Sequence, residues 1–340
     1  MNPENTAANV APAMSVTNIS IMTSEPIIQI DGITKRFGNF VAVSGLSLSV
    51  PRGAVYGLLG PNGAGKTTTI RMLMDIIIPD EGTVRLFGDA RGGREHSAEI
   101  GYLPEERGLY RKMRVLDTLV FLAEAKGVPR DQARRKAGDW LGRLDLGEWG
   151  MKKVEELSKG MQQKVQFIAT MLHEPALLIL DEPFAGLDPI NTQALKDVIV
   201  HLSRAGTTIV FSTHQMDVAE RICDHVCIIA AGRKVLDGPL SEVKRVHGGT
   251  HVAVAFEGGR ELAAPIIADR ALVAKADDYG GYAELALADG VQPQTLLTRL
   301  VAAAAQLQRF EHIEPSLNRI FLDKVGAAGA RPRNPEASRE

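Results

Sequence analysis

The chain is poor in cysteine, long apolar runs and net charge, and each shortage excludes something. Two cysteines in 340 residues, Cys223 and Cys227, cannot build a disulfide framework and fit a reducing compartment. Their four-residue spacing has no second Cys/His pair to complete a metal site, so they are read as small core residues. No run approaches the 18 or so consecutive apolar residues of a membrane-spanning helix. Lysine and arginine number 39 against 41 acidic residues, a net charge of −2, which argues against a protein that coats nucleic acid or an acidic membrane surface. Residues 1–25 contain no lysine, arginine or apolar stretch, so they do not read as a secretory signal. What remains is 45% hydrophobic and 24% charged, enough for a packed core and too apolar for global disorder. A soluble, cytoplasmic chain is the expectation.

Residues 1–25 read as a disordered leader, being rich in Asn, Ala, Ser, Thr and Pro without periodicity. From Pro26 the pattern becomes β-rich, with strands predicted over 27–33, 41–50 and 54–59. The third strand feeds a glycine-rich turn and a helix over 66–77, closed by Pro79. A strand pair is predicted over 83–87 and 100–103, then helices over 115–126, 130–144 and 158–172. Residues 177–180 form a short, wholly apolar strand of the kind covered on both faces. Helix, strand and helix recur over 191–203, 208–212 and 216–223, so the class is α/β with a mainly parallel sheet. After about Gly248 the texture shifts, and Gly248-Gly249 reads as a linker. Strand-like alternation over 251–256 and 283–287, with helices near 296–304 and 317–325, predicts a small α+β domain over 250–326. The helical stripe Leu317, Ile320, Phe321 and Val325 must bury against something, and those strands offer a sheet to receive it. Residues 327–340 read as a disordered tail.

Chemistry concentrates in three places. Gly60-Pro61-Asn62-Gly63-Ala64-Gly65-Lys66-Thr67 matches G-x-x-x-x-G-K-[ST] between a strand and a helix. Its glycines let backbone N–H groups close around phosphate oxygens, and the helix adds its positive dipole end. Lys66 would bridge the β- and γ-phosphates, Thr67 would ligate Mg²⁺, and Thr68 would place a hydroxyl near the α-phosphate. An ordinary strand–turn–helix corner is the bland alternative. The second place is Leu177-Leu-Ile-Leu-Asp181-Glu182, where a buried strand pushes two carboxylates out at the end at which parallel sheets bind ligands. Asp181 would hold Mg²⁺ and Glu182 would take a proton from an attacking water. Such a pair can equally be a helix cap.

The third place resembles a known family. Leu157-Ser-Lys-Gly-Met-Gln-Gln163 resembles the LSGGQ signature of ABC ATPases, Gly186-Leu-Asp188-Pro189 their D-loop, and Ser212-Thr-His214-Gln215 their switch histidine. With the two motifs above, the resemblance covers residues 27 to about 246. It implies a P-loop core with an antiparallel β subdomain and a helical subdomain at about 104–173, the whole nucleotide-binding domain spanning 26–247. It also implies ATP and Mg²⁺ as cofactors and a dimer in which Ser158 and Gly160 contact the partner's γ-phosphate. His214 would contact the γ-phosphate of its own site, Asp188 would couple the two sites, and Phe37 would stack on adenine, although a phenylalanine there could equally be core.

Three departures stand out. Glu105 occupies the Q-loop position where the family has glutamine; a carboxylate there can still bind Mg²⁺ or a water but donates no hydrogen bond. Lys159 replaces a glycine and Met161 a glutamine in the signature. Ile100-Gly-Tyr-Leu-Pro-Glu-Glu-Arg-Gly-Leu-Tyr110 and the signature look like type-2 ABC exporters, particularly the sodium-extrusion branch. Glu314-Pro-Ser-Leu-Asn-Arg-Ile-Phe321 and Lys324-Val-Gly326 resemble the end of that branch's accessory C-terminal domain. The resemblance implies separate membrane permease subunits, a homodimer or a dimer with a related ATPase, no nucleic-acid partner, and a place on the cytoplasmic face of the inner membrane. The rival reading is a soluble ABC ATPase acting on ribosomes or DNA. A single motif set and the lack of sustained heptads weigh against it.

Overall fold

The structure is a computed structural model describing residues 25–90, 92–106, 108–247 and 250–327. The expected leader up to residue 24, the Gly248-Gly249 linker and the tail from 328 lie outside the described residues. The chain runs β1 (Ile28–Phe37), β2 (Phe40–Val50), β3 (Val55–Leu59), α1 (Lys66–Leu73), β4 (Glu81–Leu86) and β5 (Ile100–Leu103). Three helices follow: α2 (Val115–Glu124), α3 (Arg130–Arg143) and α4 (Lys159–Met171). Next come β6 (Leu177–Asp181), α5 (Pro189–Arg204), β7 (Thr208–Thr213), α6 (Met216–Ile222), β8 (His225–Ala230), β9 (Arg233–Pro239) and α7 (Leu240–His247). The last part is β10 (His251–Gly258), α8 (Arg260–Ala268), β11 (Val273–Asp278), β12 (Ala283–Leu287), α9 (Pro293–Ala302), β13 (Gln306–Ile313) and α10 (Leu317–Ala327).

Three sheets organise these elements. The central one has the order β5-β6-β7-β3-β8-β9, with β5, β6, β7, β3 and β8 parallel and β9 antiparallel at the edge. Every residue of β3 and β6 is buried, as unbroken apolar runs require when both faces are covered. On one face lie α2 to α6, packed around Leu119, Phe167, Leu180 and Phe211. On the other, the antiparallel sheet β2-β1-β4 encloses Ile28, Ile30, Val43, Tyr56 and Ile70. The third sheet, β11-β12-β10-β13, is antiparallel and buries Val252, Val254 and Leu285 against Ala263, Leu296 and Leu300 of α8 and α9. The expected α/β core with an antiparallel subdomain and an α+β C-terminal unit is thus present.

Three expectations need correction, and six elements were not anticipated. The segments at 83–87 and 100–103 do not pair with each other: β4 joins β1 and β5 joins β6. The phosphate-loop helix ends at Leu73 rather than 77, because Asp75 turns left-handed at φ 54° while Met74 N–H still bonds Ile70 O at 3.0 Å. An Asp tolerates that region better than most residues. The α10 stripe is not received by the C-terminal sheet, since Leu317 and Ile320 are buried in the cassette core with Phe321 and Val325 packed against it. β8, β9, β11, β13, α7 and α8 had no expectation at all; edge strands such as β13, Gln-Leu-Gln-Arg-Phe-Glu-His-Ile, carry too little alternation to read.

Candidate nucleotide site

The loop after β3 is shaped by close approaches that exclude a side chain. A Cβ on Gly60 would stand 2.2 Å from Ile229 O, and one on Gly65, at φ 104°, would stand 2.6 Å from Ala42 O. Only glycine fits such a position. The β8–β9 turn holds the loop from outside: Gly232 N–H donates to Ala64 O at 3.0 Å, and Ser44 N–H of β2 donates to Gly232 O at 2.8 Å. The antiparallel sheet is therefore fastened to the phosphate loop through the β8–β9 turn.

Phe37 sits at the tip of the β1–β2 hairpin opposite Phe40, and it is 48% exposed, which rules out the core reading. Lys35 places its Nζ 5.8 Å from the Phe37 ring. The same ammonium is held by Asp80 and Ile78 O, each at 2.8 Å. The hydrogen bond from Lys35 keeps the Asp80 carboxyl below the usual aspartate range.

The chemical groups converge at the carboxyl ends of β3, β6 and β7. Lys66, 5% exposed, donates to Gly60 O at 2.8 Å and Pro61 O at 3.2 Å, and its Nζ lies 3.3 Å from Glu182 Oε1. His214 Nδ1 lies 3.1 Å from the same oxygen. Thr67 Oγ1 donates to Asp181 Oδ1 at 3.2 Å. Ser212 Oγ donates to that oxygen too and accepts Glu182 N–H at 2.9 Å. Glu182 is left-handed at φ 47°, a conformation costing about 1 kcal/mol for a residue with a Cβ, and such strain collects at working sites. Ser212 is the site residue that sequence reasoning passed over; a hydroxyl ending an apolar strand beside the carboxylate strand was the available signal.

Asp181 is fully buried, and burial pushes its carboxyl up, with the hydroxyls of Ser212 and Thr67 pulling the other way. Its Oδ2 is buried without a hydrogen-bond partner among the described residues. A hydroxyl and a carboxylate oxygen side by side, one acceptor left open, suit a hard cation that takes its remaining ligands from phosphate and water. Mg²⁺ therefore fits Thr67 and Asp181. Glu105 is exposed in the turn after β5, and no hydrogen bond or ion pair among the described residues joins it to Thr67 or Asp181. Its neighbour Glu106 faces Arg71 of α1 at 3.7 Å and accepts at its carbonyl from Gln166 of α4 at 3.1 Å.

The signature residues stand apart from this cluster. Ser158 caps α4, its Oγ accepting Met161 N–H at 3.3 Å, and both Ser158 and Lys159 are exposed. Gly160 approaches Leu187, whose Cδ2 lies 3.4 Å from where a Cβ would be. Asp188 caps α5 by accepting Asn191 N–H at 2.9 Å, a bond that holds its carboxyl below the usual range. No hydrogen bond or ion pair among the described residues joins Ser158, Gly160 or Asp188 to the phosphate loop. Cys223 and Cys227 are buried free thiols, pushed up by desolvation, and among the described residues no three or more His, Cys, Asp or Glu side chains gather into a metal-binding group.

A family model described as "ABC transporter" matches residues 43–185, which contain the loop, the signature and both carboxylates. The ABC transporter ATP-binding protein YhaQ of Bacillus subtilis is 43% identical over 309 residues, covering 88% of this chain and 99% of that one. The chain belongs to the ABC transporter ATP-binding proteins. A second model, "ATP-binding protein DrrA1-3-like, C-terminal domain", matches 238–325, so this ABC protein also carries the accessory domain that the sequence resembled. The Nod factor export ATP-binding protein I of Ralstonia nicotianae is 33% identical, over 89% of this chain and 95% of its own. Among solved structures, an ATP-binding subunit of an ABC transporter superposes with a TM-score of 0.60 at 31% identity, covering 64% of this chain and 92% of that one. Those shares match a cassette without the C-terminal sheet.

Proposed function

We propose that this ABC protein hydrolyses ATP to drive export through separate membrane permease subunits, bound at the cytoplasmic face of the membrane. It works as a dimer whose nucleotide sites are each shared between two subunits. One observation carries the reading: Lys66, Thr67, Asp181, Glu182 and His214 converge in one chain, while the Ser158 end of α4 stands exposed and unconnected to them. A helix N-terminus with free N–H groups suits a phosphate, and in this reading the phosphate is the partner's. The export direction rests on the C-terminal domain and on relatives such as the Nod factor exporter subunit.

Within one site, the backbone from Gly60 to Thr68 cradles the phosphates, Lys66 leaves Gly60 O and Pro61 O for the β- and γ-phosphates, and Phe37 stacks on adenine. Thr67 and Asp181 hold Mg²⁺, which neutralises phosphate charge when bound. Glu182, flanked by Lys66 and His214 before nucleotide binds, takes the proton of the attacking water, and His214 turns to the γ-phosphate. Glu105 belongs to the turn that reaches α1 and α4 through Glu106, and serves coupling to the permease. Asp188 serves communication between the two sites.

Mixing two inactive subunits tests the shared site. Ser158→Arg and Lys66→Ala should each be nearly inactive alone. Mixed, they should recover part of the hydrolysis, because one site of the mixed dimer is intact. A mixture that stays inactive while both variants fold and dimerise would overturn the shared site or the homodimer.

A further inference from the structure

The C-terminal helix α10 docks on the cassette, and the dock centres on one carboxylate of α6. Leu317 N–H is a first-turn donor that nothing within α10 can satisfy, and Glu220 Oε2 accepts it at 2.9 Å. The other Glu220 oxygen pairs with Lys244 of α7 at 2.7 Å, and Lys244 reaches Glu314 at 3.5 Å. Leu317 and Ile320 are buried beneath. On its far side α10 holds the C-terminal sheet: Arg319 pairs with Asp277 of β11, and Asp323 faces Lys275 at 3.6 Å. Glu220 thus joins α6, α7 and α10, and α10 joins them to the sheet.

α6 is also the helix that follows His214. It begins at Met216, two residues after the histidine, and the joint is held because Gln215 N–H donates to Thr213 Oγ1 at 3.1 Å. Met216, Val218 and Ala219 are buried, so the helix is gripped by the core along its length. Met216 to Glu220 is a rise of about 6 Å. Displacing one end of so short a packed helix displaces the other, and His214 lies only 3.1 Å from Glu182.

We propose that Glu220 is a positioning residue for hydrolysis: through α6 it sets His214 against Glu182 when α10 is docked, so that the C-terminal domain governs the hydrolytic rate. This rests on the reading of His214 and Glu182 given above. Docked, α10 fixes Glu220 from two sides; undocked, Glu220 keeps Lys244 alone and α6 gains freedom at its far end.

The test uses the full chain and Mg-ATP hydrolysis, with hydrogen exchange in α10 reporting docking. Glu220→Ala should lower kcat about fivefold and leave KM within about twofold, the signature of a group acting on the chemical step. Glu220→Gln still offers an oxygen to Leu317 N–H and should restore at least half of the loss. Ile320→Ser, which loosens α10 from the core it shares with α6 and leaves the Glu220 carboxylate in place, should give the same kcat loss. Combined with Glu220→Ala it should add little, because both act through one contact. An undocked α10 with unchanged kcat would overturn the proposal, as would losses that multiply in the double variant. Normal hydrolysis in His214→Ala would instead overturn the reading of the site itself.

Discussion

The carboxyl ends of the central sheet and the interior of the C-terminal sheet use burial differently. At the first, Lys66, Asp181, Glu182, Ser212 and Thr213 are all less than a tenth exposed, and Asp181 keeps a buried oxygen without a partner among the described residues. In the second, Val252, Val254, Leu285, Leu296 and Leu300 form the core, while ion pairs such as Arg260–Asp278 and Arg309–Glu311 stand in solvent. Interior charge weighs against a fold unless it is paired and bonded, whereas exposed pairs are nearly neutral. In the first region the open oxygen of Asp181 therefore carries a stability cost that a bound cation would relieve.

The contrast breaks first at Glu182. Glu182→Gln should lower hydrolysis by about 10²- to 10⁴-fold, the range of a lost general base, with ATP binding retained. Gel filtration with Mg-ATP should then show a trapped dimer, and near-normal turnover would remove Glu182 from that role. In the other region, Leu285→Ala should cost about 2–5 kcal/mol of stability through the cavity it leaves, measured by denaturant unfolding, while ATP affinity stays within about twofold. A parallel loss of affinity would show that the two regions are not separable.

A smaller effect tests the cost itself. Burial raises the Asp181 carboxyl, so the folded chain holds that proton to a higher pH than the unfolded chain does. Its ionisation therefore opposes folding above the ordinary aspartate value, about 4, and the opposition grows as pH rises through the raised value. Nucleotide-free Asp181→Asn should melt higher than the parent at pH 7, and the gap should close as pH falls below about 4. Mg²⁺-dependent tightening of ATP should be lost in the same variant. Equal melting at pH 7 would mean that the buried oxygen costs nothing. The smallest expected change is Glu105→Gln, with basal hydrolysis altered by less than about tenfold, or about 1.4 kcal/mol of barrier, and permease stimulation altered more. Collapse of basal hydrolysis would place Glu105 in the chemistry.

Much of the site was legible because its parts are contiguous. A phosphate loop needs consecutive backbone N–H groups, so its glycines, Lys66 and Thr67 fall in one short segment. Asp181 and Glu182 end a strand whose apolar run announces burial. Less legible were groups defined by what crosses over them: Ala42 O against Gly65, Ser212 between the carboxylates and Gln163 on Pro183 O at 3.3 Å. None of these pairings has a fixed spacing along the chain.

The sequence by itself determined the glycine-rich turn between β3 and α1, the carboxylate strand, the helix cap at Ser158 and the alternation of strands and helices, since each depends on residues within one element and its neighbours. Tertiary structure decided the rest. It sent β4 and β5 to different sheets, because strand pairing depends on which faces remain uncovered. It left Ser158 exposed while drawing Lys66, Glu182 and His214 together, because the parallel sheet gathers its carboxyl ends and α4 points elsewhere. It also turned the Leu317, Ile320, Phe321 and Val325 stripe onto the cassette. An apolar face states that it must be buried, and only the packed chain selects the surface that buries it.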